Sequence, residues 1–183
     1  VQGPISNGDI TDDATPTISG KGEVGSVVEV FDGATSLGTT KVNPDGTWNF
    51  TPTTPLVDGP HSITTTQTDV AGNTSDASSP TNFTVDTSAV TDATITKVVD
   101  DTNPQVGDIA TGASTNDTTP TVVGTAPVGT IVTVFDGAKE LGTAIVTKAG
   151  TWSFTPSVAL SEGEHSFVAT ATNAAGTVSK PTA

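Results

Sequence analysis

Short runs of alternating apolar and polar residues recur along the whole chain. Gly, Pro, Asn or Asp interrupts them every few residues. In Ile131–Phe135, Val132 and Val134 alternate with Ile131 and Thr133; Trp152 and Phe154 stand two apart. A period of two places alternate side chains on one face of a pleated strand. The pattern predicts strands at Ile95–Val99, Thr121–Gly124, Ile131–Phe135, Leu141–Val146, Thr151–Thr155 and Ser166–Thr172, with a last one beginning near Val178. About seven short strands per hundred residues, bounded by turn formers, fit an immunoglobulin-like β-sandwich.

The pattern occurs twice. Sliding the sequence by 104 positions lays Val1–Ser79 on Gln105–Ala183 without a gap, and 36 of the 79 positions are identical. Phe31-Asp32-Gly33-Ala34 falls on Phe135-Asp136-Gly137-Ala138, Gly46-Thr47-Trp48 on Gly150-Thr151-Trp152, and His61-Ser62 on His165-Ser166. Such a match means two copies of one fold. Pro80–Pro104 has no counterpart, so it holds the end of copy one, the junction and the start of copy two. Phe83-Thr84-Val85 reads as a last strand and Asp86-Thr87-Ser88 as a linker. The expected organisation is all-β: two tandem immunoglobulin-like domains end to end, 1–88 and 89–183. The first copy lacks a first strand, the second lacks most of its last, and further copies are expected on both sides.

Composition agrees. Thr is the commonest residue at 38, with Gly 19 and Pro 12, and charged residues make up 14%. Thr, Val and Ile suit a half-buried pleated surface. Cys is absent, which removes disulfides, thiolate metal sites and a cysteine nucleophile. No apolar run approaches the roughly 18 residues of a spanning helix. Six Lys, no Arg and 20 acidic residues give a formal charge of −14. That charge repels phosphate backbones and anionic membrane surfaces and favours divalent cations.

The carboxylates are therefore the informative side chains. Asp12 and Asp13 precede Thr15-Pro16, and Asn116-Asp117 precedes Thr119-Pro120; Asp100 and Asp101 end the first strand of copy two. Asp32 and Asp136 lie in the Phe-Asp-Gly turns, Asp86 in the linker, and Asp69 and Asn73 flank Val70-Ala71-Gly72. Antiparallel parity puts Asp12, Asp13, Asp32, Asp58 and Asp86 at one pole of copy one, and Asp100, Asp101, Asp108, Asp117 and Asp136 at the matching pole of copy two. The Asp69–Asn73 turn falls at the opposite pole. Clustered oxygen ligands on turns match Ca²⁺, which takes six to eight of them, better than Mg²⁺. The competing reading is that each Asp caps its own turn. No EF-hand loop is present.

His61 and His165 share a repeat position. A serine-hydrolase reading would pair them with Ser62 or Ser166, but neighbouring side chains on a strand point to opposite faces and no G-x-S-x-G elbow exists. Both are expected to be structural, and no enzyme is expected. Phe31, Trp48, Phe50, Phe135, Trp152 and Phe154 are expected in the cores, which leaves few aromatics for stacking on sugars or bases. The sequons at Asn49, Asn73, Asn82 and Asn116 are expected by chance in a Thr-rich chain.

Several strings together carry a resemblance: Ile5–Gly20, Val30-Phe31-Asp32-Gly33, Asp45-Gly46-Thr47-Trp48, Asp58-Gly59-Pro60-His61 and Thr68-Asp69-Val70-Ala71-Gly72-Asn73-Thr74-Ser75. They resemble the bacterial immunoglobulin-like repeats of giant Bap-like and RTX-type biofilm adhesins. Thr172-Asn173-Ala174-Ala175-Gly176-Thr177 departs from that pattern by lacking the Asp and the final Asn. The resemblance implies export by a type I secretion system and display on a Gram-negative cell surface. It implies an extender role in adhesion and biofilm formation, and Ca²⁺ bound through Asp12, Asp13, Asp86, Asp100, Asp101 and Asp117. Neighbouring repeats would be the partners, and the surface to which the cell adheres would be met elsewhere in the parent protein. A ligand-binding module for carbohydrate or protein is the alternative.

Overall fold

A computed structural model describes residues 4–182. The chain is all-β among the described residues and separates into two compact units, Val1–Thr87 and Ser88–Ala183.

Unit 1 carries β1 (Ile10–Thr11), β2 (Ile18–Lys21), β3 (Val27–Asp32), β4 (Thr35–Lys41), β5 (Thr47–Phe50), β6 (Gly59–Thr68) and β7 (Thr81–Val85). One sheet has the order β1-β7-β6-β3-β4, in which β1 runs parallel to β7 and the other pairs are antiparallel. Among the described residues the other sheet is β2 against β5, with Gly20 opposite Trp48. Unit 2 carries β8 (Thr94–Asp100), β9 (Gly107–Ile109), β10 (Thr121–Thr125), β11 (Ile131–Asp136), β12 (Lys139–Ile145), β13 (Thr151–Phe154) and β14 (Phe167–Thr172). Its sheets are β13-β10-β8-β9 and β12-β11-β14, all antiparallel.

Alternation builds each core. Val28 and Val30 on β3, and Val132 and Val134 on β11, are at most 2% exposed; they meet Trp48 and Trp152 from the facing sheet. Phe50 and Phe154 pack against the same cores, two residues on from each Trp. Phe31 and Phe135 depart from the expectation. Each directly follows a buried Val, so it turns to the opposite face, and each stays half-buried outside the core clusters. A register shift in the β3–β4 and β11–β12 pairings falls at that step. Gly33 and Gly137 turn the two hairpins with φ near 57°, a conformation that suits glycine.

Two strands differ from the sequence pattern. β9 has only three residues and no apolar alternation to announce it. The strand expected near Val178 is a single bridge to Thr172. The chain there lies alongside β14 through Ser179 N–H to the Ala171 carbonyl at 2.8 Å and Thr182 N–H to the Ala169 carbonyl at 2.9 Å.

Candidate functional site

The carboxylates sit at turns, and the structure gives most of them specific hydrogen-bond donors. In unit 2, β8 ends at Asp100 and the loop before β10 brings Asp117 beside it. Both are buried, at 4% and 5% exposure. Thr115 joins them: its hydroxyl donates to Asp100 Oδ2 and accepts from the Asp117 amide at 3.0 Å. Thr102 N–H donates to Asp100 Oδ1 at 2.8 Å, and Asp101 N–H donates to Asp117 Oδ2 at 3.2 Å. Thr119 N–H caps Asp117 Oδ1 at 2.9 Å. Among the described residues no basic group pairs with Asp100 or Asp117, while the Asp101 side chain is exposed. Both buried carboxylates accept from amides and hydroxyls, and hard oxygens of this kind suit a divalent cation.

The matching pole of unit 1 is more open. Asp13, the repeat counterpart of Asp117, is exposed and caps Thr15 N–H at 2.8 Å. Asp12 is exposed as well. Asp86 is half-buried, and its amide binds the Thr11 carbonyl at 2.8 Å, which extends the parallel β1–β7 pairing. Asp58 holds the end of the unit by accepting from Thr87 N–H at 3.0 Å and its hydroxyl at 2.8 Å; the amide first and then the hydroxyl keep its pKa below the usual carboxylate value.

Asp32 and Asp136 do a different job in both units. His61 Nδ1 lies 2.7 Å from Asp32 Oδ2, and His61 Nε2 lies 2.8 Å from the Val57 carbonyl. His165 repeats this with Asp136 at 2.7 Å and the Ser161 carbonyl at 2.8 Å. A carboxylate and a carbonyl only accept, so both contacts of each ring are satisfied together when both nitrogens donate, which favours the imidazolium form. The second carboxylate oxygen accepts from Ser62 N–H at 3.0 Å or Ser166 N–H at 2.9 Å. Each staple ties the loop before a strand to the turn after its neighbour. Burial is the largest influence on His61 and opposes its charge, but the Asp32 bond, the Val57 bond and the Asp32 charge together outweigh it and its pKa is raised; at His165 the Asp136 bond leads, and its pKa is raised too. Burial is the largest influence on Asp136 and opposes its charge, but the His165 and Ser166 bonds and the charges of His165 and Lys139 together hold its pKa below the usual value. With both nitrogens engaged, neither ring is placed to take a proton from a serine.

Asp69 closes its own turn at the other pole. It accepts from Ala71 N–H, Asn73 N–H and Asn73 Nδ2 at 2.8–2.9 Å, and the Asn73 side chain first of all lowers its pKa. In unit 2, Asn173 Oδ1 holds Thr177 N–H at 2.9 Å in the corresponding turn. The structure thus brings Asp100 and Asp117 together around Thr115, with Asp101 joining through its amide only, and sets Asp32, Asp136, Asp69 and Asn73 apart in bonds of their own. Among the described residues no three His, Asp or Glu side chains form a ready-made metal cage.

The His–Asp staples were hidden from sequence reasoning, although a signal was there: a Phe-Asp-Gly turn followed 29 residues later by His, in both copies. Thr115 gave no signal among so many threonines.

A family model described as a bacterial Ig-like domain matches residues 3–87 and again 92–183. The fibronectin(III)-like modules of Clostridium thermocellum CbhA are similar in structure, with a TM-score of 0.57 at 15% identity over 96% of this chain and 86% of that one. A biofilm-associated protein BSP domain aligns with a TM-score of 0.36 at 24% identity, covering 96% of this chain and 28% of that one. A tetra-tandem repeat from the extending region of a large adhesion protein aligns with a TM-score of 0.33 at 23% identity, covering 92% and 44%. Among curated protein sequences none matches significantly.

Proposed function

The chain belongs to the bacterial Ig-like domain family, and from that premise we propose that it is a spacer: a pair of extender modules in a large secreted adhesin at a bacterial cell surface. One observation carries this reading. The fold pattern occurs twice in tandem, and the Asp–His staple and the closed Asp69 and Asn173 turns recur at matching positions of the two units. The motif resemblance to Bap-like and RTX-type repeats supports the adhesion and biofilm setting, and neighbouring repeats are then the partners.

We place Ca²⁺ in this reading at Asp100 and Asp117, two buried carboxylates that share Thr115 and have no cationic partner among the described residues, with Asp101, whose amide bonds Asp117, beside them. Asp12, Asp13 and Asp86 mark the matching pole of unit 1. Bound there, the ion would neutralise the buried anions and cross-link the end of β8 to the loop before β10. Two buried carboxylates supply part of a coordination shell, so carbonyl oxygens or water complete it. At the millimolar calcium found outside cells, a site of roughly 10⁻⁴–10⁻³ M affinity is substantially filled. Small-angle scattering with and without EGTA tests the spacer: the largest dimension should be well defined with calcium and broaden after chelation. An unchanged profile and melting temperature count against it.

A further inference from the structure

We propose that the outer face of the β12-β11-β14 sheet in unit 2 is a self-association surface, on which a second copy of this chain docks through the same face. Val132 and Val134 point into the core, so Ile131, Thr133 and Phe135 of β11 point outward. The register sets Ile145 and Thr172 on either side of Ile131, Thr143 and Thr170 beside Thr133, and Glu140 and Val168 beside Phe135. Val178 continues the first row beyond Thr172. That row is apolar and open to water: Ile145 is 81% exposed, Ile131 51% and Val178 56%. Among the described residues of this face, charge stands only at the two edges. Glu140 is exposed on β12, and Lys180 is exposed two residues past Val178, with the buried Ser179 between them.

The fold does not require an apolar face here, because unit 1 builds the same face differently. At the positions matched by the 104-residue offset it has Lys41 for Ile145, Glu29 for Thr133, Thr74 for Val178 and Val27 for Ile131. Glu29 accepts from the Ser36 hydroxyl at 2.6 Å, and the Thr68 and Thr74 hydroxyls bond at 2.9 Å. Going to unit 2, two of these exchanges remove a charge, one removes a hydroxyl and one enlarges an apolar side chain. Charge then selects the occupant. The chain carries a net charge of −14, so two copies repel through most of their surface. A twofold axis along β11 lays the unit 2 face on its own copy with the chains parallel. It sets Ile131 against itself and Ile145 against the partner's Val178. At the rims it brings Lys180 toward the partner's Glu140, twice by symmetry, and such opposite charges fix register. The same axis in unit 1 would set Glu29 against its own copy, a like-charge contact. From strand spacing and rise the face measures about 14 Å by 20 Å. That is below the roughly 800 Å² per partner of a standard interface, so the pairing is weak and tells where chains are crowded.

The inference goes beyond the spacer reading and does not depend on calcium. It is tested by sedimentation equilibrium of the full chain in about 0.15 M salt, which screens the net charge. Reversible dimers should grow in as the concentration rises from about 10 µM to about 1 mM. Ile145→Lys and Thr133→Glu install the residues that unit 1 carries at the matching positions. Each should raise the dissociation constant at least about tenfold and leave the melting of the dilute chain in place. Glu140→Lys and Lys180→Glu should each weaken the dimer, and the two together should restore it. The proposal is overturned if the chain stays monomeric through that range, in which case a different partner or none covers the face. It is equally overturned if Ile145→Lys dimerises as well as the parent, or if the charge reversals, single and paired, do not follow this pattern.

Discussion

Units 1 and 2 share a sequence pattern yet complete opposite sheets. Unit 1 has β7 zipped along β6, so β6 runs for ten residues and covers His61 with Phe83, ring centroids 5.8 Å apart. Among the described residues its second sheet has two strands. Unit 2 has β8 across β10, so Trp152 is 1% exposed where Trp48 is 7% exposed, but β14 runs for six residues because no partner extends along its start. The His165 side chain is correspondingly 22% exposed against 4% for His61. Repeat-matched segments thus reach different lengths and burial according to which neighbour is in place. Tertiary pairing, and not propensity, sets where a strand ends.

The difference should appear first in the tryptophans. Trp→Ala at a buried site costs roughly 3–5 kcal/mol. Trp152→Ala should lie at the top of that range and Trp48→Ala at the bottom, read as separate transitions in calorimetry. Covering Trp152 also leaves its indole Nε1 buried without a partner, so part of the gain from β8 is offset. Equal losses in the two units would break the comparison.

The acidic turns come next. Removing Asp117 strips acceptors from the Asp101 and Thr119 amides, so Asp117→Ala should cost unit 2 about 1–3 kcal/mol. Asp13→Ala removes an exposed cap and should cost unit 1 about 0.5 kcal/mol or less. Denaturant titration of each variant separates the two.

The smallest effect is the pH dependence of the staples. Both His pKa values are raised above the ordinary 6.5. Their contribution is therefore complete below that value and is lost as pH rises through the folded-state values. Going from about pH 6 to about pH 9 should lower the stability of unit 1 by about 1 kcal/mol and that of unit 2 by less, since His165 is more exposed to water. His61→Gln should flatten the unit 1 response. A stability that rises over this window contradicts the imidazolium assignment.

Much of this was legible in the sequence. The 104-residue offset, the Val-x-Val alternation of Val28 and Val30, and the Trp-x-Phe pairs define the sandwich and its two cores before any coordinates. Parity also places Asp32, Asp58 and Asp86 at one end of unit 1, where Asp32 meets His61, Asp58 meets Thr87 and the Asp86 amide meets Thr11. What escaped were features made by partners distant in sequence. β9 exists because β8 offers it an edge, and Phe31 turns outward at a register shift that no spacing rule shows. Whether an Asp binds a histidine, a turn amide or a buried neighbour depends on which loop folds over it. Asp117 is buried and Asp13 is exposed although the residues after them both read Thr-Pro-Thr within four positions.

The central claim is that calcium ties the end of β8 to the loop before β10. Following the two thermal transitions of the full chain while calcium is titrated to millimolar concentrations tests it most directly. The account predicts that the unit 2 transition climbs with calcium, falls back with EGTA, and stops responding in Asp100→Asn. A unit 2 transition that does not move with calcium, or that moves just as far in Asp100→Asn, would contradict it.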